Sequence, residues 1–251
     1  MIDTAVILAA GIGSRMSSAF GGVPKPLVPV AGVPIIVRVI RSAVEAGIRR
    51  FVVVTGYRAE DVRATVAECQ QPGVEITFVH NPEYATESVG ASVLAARPLV
   101  SEPFALLMAD HIFDPHILRD LVAVPLSTSE CILAVDYRVD RVFDLADAKK
   151  IVERDGYLVD IGRNLAQFDA VDTGLFACTP ALFDALETAR KSGAGTVDDA
   201  LRVLAAERRM RTFDIGDGYW QDVDTPEMLA EAERLVSRHD STVTSEPVAQ
   251  R

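Results

Sequence analysis

The 251-residue sequence predicts an α/β protein, a three-layer α/β/α sandwich around a mostly parallel, Rossmann-like mixed sheet. Three observations carry that prediction. Apolar runs rich in Val, Ile and Leu recur at residues 5–9, 50–55, 104–109 and 131–135, each the length of a strand buried on both faces. Segments with helical apolar spacing separate the early runs, which is the order of βαβ units. The first run empties into Gly11 and Gly13 and the run at 104–109 ends in Asp110. In such sheets ligands sit outside the carboxyl ends of strands, at a topological switch point.

The elements follow in order. Ala5–Ala9 is the first strand. Pro34 suits the first turn of a helix and Gly47 its stop. A strand over 50–55, a helix over 59–69 and a strand over 74–79 come next, the last closed by His80-Asn81-Pro82. Ser88 is the expected N-cap of a short helix reaching Arg97, and a strand follows over 104–109. In the second half a strand over 131–135 ends at Asp136, and residues 149–161 read as a strand pair turning at Asp155-Gly156. A strand over 170–178 carries Asp172 and Gly174 within it. Helices open at Pro180 and at Thr196 or Asp198, then a strand covers 211–215 and a loop 216–224. Thr225 and Pro226 are the N-cap and N1 of a final helix. Residues 239–251 are polar and aperiodic, so a single domain over 1–238 with a disordered tail is expected.

Composition narrows the class. Apolar residues make up 49% and charged residues 24%, as in ordinary globular proteins. No apolar stretch approaches the roughly 20 residues that span a bilayer. The opening Met-Ile-Asp-Thr has no basic segment, so neither a signal peptide nor membrane association is expected. The net charge of −11 argues against a broad nucleic-acid footprint. It also means that a polyphosphate ligand must meet locally concentrated cations or recruit a metal ion. Cys69, Cys131 and Cys178 are odd in number and form no CxxC, so reduced thiols and a cytoplasmic location are expected. Oligomeric state is left open.

The glycine loop is followed at once by Arg15, and Lys25 stands between Pro24 and Pro26. A strand feeding a glycine loop with two cations handles phosphate. The P-loop pattern GxxxxGK[ST] does not occur. The dinucleotide fingerprint GxGxxG fails because Met16 stands where its third glycine belongs.

The stretch LAAGxGxRM from Leu8, followed by PKPLxPVxGxP to Pro34, resembles the nucleoside-triphosphate transferase family, the pyrophosphorylases that join an NTP to a sugar or polyol phosphate. The resemblance implies attack by the acceptor phosphate on the α-phosphorus with loss of pyrophosphate. A phosphate monoester is mostly dianionic at neutral pH, its second pKa being about 6, so positioning and charge neutralisation suffice without a general base. Arg15 is then the grip on the β- and γ-phosphates and Lys25 the charge beside the α-phosphate. Leu8, Ala9, Ala10, Gly11, Gly13 and Ser14 form the nucleotide cradle. Mg²⁺ is the implied cofactor. Asp110 closes an apolar strand, and Trp220-Gln-Asp222-Val-Asp224-Thr-Pro226-Glu227 is similar to the family's WxDVDTPE stretch, so Asp110 and Asp224 are the implied ligands with Asp222 close by.

Met108-Ala-Asp110-His111-Ile-Phe-Asp114, Ile161-Gly-Arg163-Asn-Leu165 and Asp172-Thr173-Gly174-Leu-Phe176 resemble the corresponding stretches of CTP:inositol-1-phosphate cytidylyltransferases. That resemblance implies CTP and a polyol phosphate as partners, with His111, Arg163, Asp172, Thr173 and Gly174 on the acceptor. Two positions depart from the pattern. Arg163 replaces a lysine, a planar fork for a compact ammonium. Val89 replaces an asparagine beside Gly90 and Ser92, the expected pyrimidine contacts. A different NTP with a sugar 1-phosphate, or CTP with phosphocholine or a phosphonate, keeps the same chemistry. Phosphocholine would call for an aromatic cage, and no aromatic cluster occurs in the acceptor segments. A non-catalytic nucleotide-binding module is the contrasting class. Relatives are often fused to a membrane-embedded CDP-alcohol phosphotransferase, a step expected here of a separate protein.

Overall fold

Strand β1 (Thr4–Ala9) is buried along its whole length. Ala5, Ile7 and Ala9 pack into one apolar cluster and Val6 and Leu8 into another. A strand that buries both faces needs a helical layer on each, and the rest of the chain supplies them. The structure, a computed structural model, describes residues 2–13, 16, 19–86 and 88–243.

The other strands are β2 (Pro29–Val30), β3 (Val33–Pro34), β4 (Arg50–Thr55), β5 (Glu75–His80), β6 (Phe104–Met108), β7 (His111–Phe113) and β8 (Cys131–Asp136). They continue with β9 (Lys150–Arg154), β10 (Tyr157–Gly162), β11 (Ala170–Cys178), β12 (Met210–Asp214) and β13 (Trp220–Asp222). The helices are α1 (Ile35–Glu45), α2 (Ala59–Ala67), α3 (Val89–Ala95), α4 (Pro115–Ala123), α5 (Ala181–Lys191), α6 (Val197–Ala206) and α7 (Pro226–Val243).

Nine strands form one sheet in the order β5-β4-β1-β6-β11-β8-β12-β10-β9. The first four are mutually parallel, as are β8 and β12. β11 runs antiparallel to both β6 and β8, which makes the sheet mixed. The chain leaves β1 in one direction, to β4 and β5, and returns on the other side as β6. The switch point therefore lies at the carboxyl ends of β1 and β6, where the glycine loop and Asp110 begin. Apolar positions of α1, α2, α4 and α7 fill one face of the sheet, and those of α3, α5 and α6 the other. This is the three-layer α/β sandwich that the sequence predicts. None of the described helices is long and apolar enough to cross a membrane.

Local signals operate as read. Asp155 and Gly156 both have positive φ, 54° and 78°, in the two-residue turn between β9 and β10. Thr196 caps α6 through a reciprocal box with Asp199, which settles the choice between Thr196 and Asp198. The Thr225 hydroxyl accepts from the Met228 N–H at 3.3 Å and opens α7. Three features differ. Helix α4 lies where no helix is predicted, although Asp114 is its N-cap and Pro115 its first residue. β7 and β13 form a separate antiparallel pair, β13 inside the 216–224 segment expected to be loop and β7 where no strand is predicted. Helix α7 continues to Val243, beyond the boundary at 238, and residues 244–251 lie outside those described.

Candidate active site

Two short elements assemble the site. β13 pairs with β7 so that Asp222 stands opposite His111. The ladder is extended by the Val223 N–H donating to the Asp110 carbonyl at 3.0 Å. Asp110 and Asp224, more than a hundred residues apart, are thereby fixed on adjacent backbones at the switch point. Lys25 enters from the other side in a short 3-10 turn, Lys25–Leu27. Its stem passes the glycine loop so closely that a Cβ on Gly13 would lie 2.5 Å from the Lys25 Cβ, and Gly13 has φ of 57°. Only glycine accepts both conditions without strain. Space above Gly11 is open.

The Lys25 ammonium donates to Asp110 Oδ2 at 2.6 Å and also to Asp224 Oδ1. Burial opposes its charge, but the two carboxylates outweigh it and hold its pKa above the ordinary lysine value. Asp110 gives its other oxygen to His111 Nδ1 at 2.7 Å. Burial would raise Asp110, yet Lys25 and His111 hold its carboxyl far below the usual range. Burial lowers His111, and Asp110 more than restores it, so the imidazole titrates above its ordinary value. Asp222 is pushed up by burial, with His111 offsetting part of the effect and Asp224 and Asp110 adding to it.

A cavity of about 660 Å³ opens beside this cluster, lined among others by Asp110, His111, Asp222 and Asp224. Asp172, Gly174 and Arg163 line it as well, so these acceptor-side residues share one cavity with the acidic cluster. β11 bulges there, and Gly174 has φ of 76°. A Cβ at Gly174 would lie 2.6 Å from His111 Cδ2, so this glycine makes room for the imidazole. The Asp172 carboxylate accepts from the Gly174 N–H at 2.7 Å. Burial raises its pKa, and Lys149 and that N–H offset it only in part. Arg163 is exposed, with Nε donating to the Asp147 carbonyl at 2.8 Å and to its carboxylate at 3.1 Å.

Other expected residues stand elsewhere. Thr173 points into the core, where its hydroxyl donates to the Ala134 carbonyl at 2.8 Å. Strand alternation sends it away from the cavity that Asp172 and Gly174 face. Leu8 and Ala9 belong to the β1 ladder, and the buried Ala10 gives its carbonyl to the Tyr57 N–H at 3.0 Å. Ser92 is buried and accepts from Asn81 Nδ2 at 2.9 Å. Gly90 packs against the Gly195 carbonyl with no space for a side chain. Ser14 and Arg15 lie outside the described residues.

The sequence reading missed the support behind β13. Asp136 is 4% exposed and receives Arg138 Nε and Nη2 at 2.9 Å each and Trp220 Nε1 at 3.0 Å. Arg138 also donates to the Gly218 carbonyl at 2.6 Å. An acid closing an apolar strand was the available signal, the same one that marked Asp110.

The donor set suits a hard divalent cation. Two carboxylates converge on one ammonium, so their oxygens face a common point. Among the described residues no three His, Cys, Asp or Glu side chains surround a single point. A cation held by Asp110 and Asp224 would need further oxygens from phosphate and water, which is how Mg²⁺ is usually held.

A mixed α/β sandwich with a glycine loop, a lysine and paired acids at its switch point defines a nucleotide-handling fold. The MobA-like NTP transferase domain matches residues 5–210, and the chain belongs to that family. It is 34% identical over 234 residues to a bifunctional IPC transferase and DIPP synthase of Rubrobacter xylanophilus, covering 92% of this chain and 51% of that protein. The corresponding protein of Thermococcus kodakarensis is also 34% identical, over 94% of this chain and 51% of its own length. The chain thus spans about half the length of these curated relatives. The structure of the inositol-1-phosphate CTP transferase from T. maritima superposes with a TM-score of 0.81 at 28% identity, covering 94% of this chain and 96% of that one.

Proposed function

We propose that this chain is a Mg²⁺-dependent cytidylyltransferase that couples CTP to a cyclitol phosphate such as inositol 1-phosphate. An oxygen of the acceptor phosphate forms a bond to the α-phosphorus of CTP. The bond from that phosphorus to the bridging oxygen breaks, and pyrophosphate leaves. The observation that carries the reading is the Lys25 ammonium clasped by Asp110 and Asp224, two acids that line one cavity with Asp172. Similarity to the T. maritima transferase over nearly the whole of both chains supports the choice of CTP and inositol phosphate.

In this reading Lys25 neutralises charge that grows on the α-phosphate as the transition state forms. Backbone N–H groups of Gly11 and Gly13, with Ser14 and Arg15, hold the triphosphate. The base lies against the start of α3, where Val89 lines the cavity and Gly90 and Ser92 support it from behind. Asp110 and Asp224 hold the metal, with Asp222 nearby, and the bound metal supplies Lewis-acid stabilisation of the phosphates. Arg163 receives the acceptor phosphate, and Asp172 and His111 contact the polyol. Thr173 serves by anchoring β11 to β8. We assign the reaction to the cytoplasm, where free thiols such as Cys131 and Cys178 persist.

Pyrophosphate release with a panel of NTPs and acceptor phosphates tests the proposal. Turnover is expected with CTP and inositol 1-phosphate. Turnover of UTP or GTP with hexose 1-phosphates, and none with inositol phosphate, would overturn the substrates and keep the chemistry. Tight NTP binding without turnover of any pair would identify a binding module.

A further inference from the structure

The cavity carries a second charged cluster that the phosphoryl chemistry leaves unused. Lys149 lies just before β9, and Asp198 sits in the first turn of α6. The Lys149 ammonium donates to Asp198 Oδ1 at 2.5 Å, and both side chains line the cavity with 31% and 21% exposure. Backbone bonding ties a third charge to this pair. The Asp172 N–H donates to the Lys149 carbonyl at 2.9 Å, so Asp172 and Lys149 sit side by side on neighbouring strands. Asp172 spends Oδ1 on the Gly174 N–H, and Oδ2 has no hydrogen bond among the described residues.

The three groups are held firmly. The Thr196–Asp199 box locks the first turn of α6 that presents Asp198. Ser88 ties the preceding Gly195 to the start of α3. The bulge at Gly174 fixes the direction of Asp172. A partly exposed ion pair adds little to stability, so stability does not account for three charges converging in a substrate-sized cavity.

Their order, carboxylate, ammonium, carboxylate, suits a particular chemistry. Each hydroxyl of a polyol both donates and accepts. The carboxylates accept hydrogen bonds from hydroxyls and the ammonium donates one to a hydroxyl oxygen, so neighbouring hydroxyls on one ring satisfy all three groups. An acceptor that carries its own positive charge meets the Lys149 ammonium, and of the two carboxylates Asp198 is already neutralised and Asp172 spends one oxygen on the Gly174 N–H. We propose that the Lys149–Asp198 pair, with Asp172, selects the acceptor: it hydrogen-bonds the ring hydroxyls of an uncharged polyol phosphate and excludes phosphates of cationic alcohols. This rests on the polyol-phosphate reading above.

The test sets the wild-type protein, Lys149→Met and Lys149→Arg against inositol 1-phosphate, its monodeoxy analogues and phosphoethanolamine, with CTP and Mg²⁺. In Lys149→Met the KM for inositol 1-phosphate is expected to rise about 10- to 100-fold, the value of a charge-assisted hydrogen bond, with kcat within about threefold. On the one analogue that lacks the hydroxyl bonded to Lys149, the rise should shrink to less than about threefold. Use of phosphoethanolamine should increase about tenfold, and Lys149→Arg should recover part of the loss. CTP affinity, measured by calorimetry, should not change. An equal loss on every acceptor, or a loss carried by kcat, overturns this inference alone. A wild-type protein that turns over other acceptors and no polyol phosphate overturns the functional reading and this inference with it. Should Lys149→Met fail to bind CTP, Asp198→Asn is judged by the same KM and kcat criteria on the polyol phosphates, with use of phosphoethanolamine expected to fall, because Lys149 is then uncompensated.

Discussion

Lys25 is held by its surroundings at every level. Gly13 lets its stem pass, burial removes it from water, and Asp110 and Asp224 fix the ammonium. A charge fixed in advance lowers a barrier without reorganising as the reaction proceeds. Lys25→Ala is therefore expected to cut kcat by about 10²–10³ while NTP affinity changes less than about tenfold. Single-turnover rates and equilibrium binding separate the two, and equal losses in both would make Lys25 a binding residue only. Gly174 bears on the same cluster through space. A methyl group there meets the His111 ring, and φ of 76° is strained for alanine. Gly174→Ala should destabilise the fold by about 1–3 kcal/mol. An unchanged urea midpoint would show that β11 relaxes and His111 moves freely. Gly13, Lys25 and Asp110 were legible in the sequence because each interrupts its local pattern: a glycine after a buried strand, a lysine between prolines, an acid ending an apolar run. Strand alternation, which a motif read as a block conceals, turns the Thr173 hydroxyl to Ala134.

The element that matters most for the site is the β7–β13 ladder, and it is the one the sequence conceals. Three residues on each strand are too few to display a period, and the partners lie more than a hundred positions apart. Helix α4 was legible in principle, since Asp114-Pro115 is a sound N-terminal signal, but Asp114 also ended the acidic motif. Behind the ladder, Asp136 fastens β13 through Trp220 and the Gly218 carbonyl through Arg138. Burial alone would raise the Asp136 carboxyl, yet Arg138 and Trp220 hold it below its ordinary value. A carboxyl with a depressed folded pKa contributes stability that is present above its unfolded pKa of about 3.9 and is lost as the pH falls through the folded value. Asp136→Asn should therefore cost stability at pH 7 and progressively less below about pH 4, where the wild type loses the same contribution. Urea midpoints of the two proteins from pH 7 to pH 3 measure the difference. Trp220 is the sole tryptophan, so its emission reports on β13 directly and should shift in the variant. A difference that stays constant with pH would deny Asp136 its charged role.

At the scale of the whole molecule, the proposed reaction asks a chain of net charge −11 to gather a tetra-anionic nucleotide. The sheet answers by topology. Reversal of strand order between β1 and β6 opens a crevice, and the only groups it receives are those that the loops leaving the two strands, and the chain segments paired to them, can deliver. Both apolar faces of the sheet and its α/β class were legible because strands buried on two sides cannot conceal their composition. The antiparallel entry of β11 between β6 and β8 was not, since nothing local to residues 170–178 names a partner. Yet that insertion carries Asp172 to the crevice, and in the proposed reading it sets a −/+/− row for hydroxyls at one end against the acids that would hold a cation at the other. If the acids at the switch point serve a metal, nucleotide binding and metal binding must be coupled. CTP at a hundredfold over its Kd stabilises a folded protein by about 2.7 kcal/mol, and a domain of this size shifts by about 2–4 °C per kcal/mol. With Mg²⁺ present, CTP should raise the melting temperature by about 5–10 °C. EDTA should remove most of that shift, and Asp224→Asn should remove it even with the metal supplied. A shift that survives both treatments would mean that Arg15, Lys25 and the glycine loop bind the triphosphate without a metal, and that Asp110 and Asp224 serve chiefly to hold Lys25.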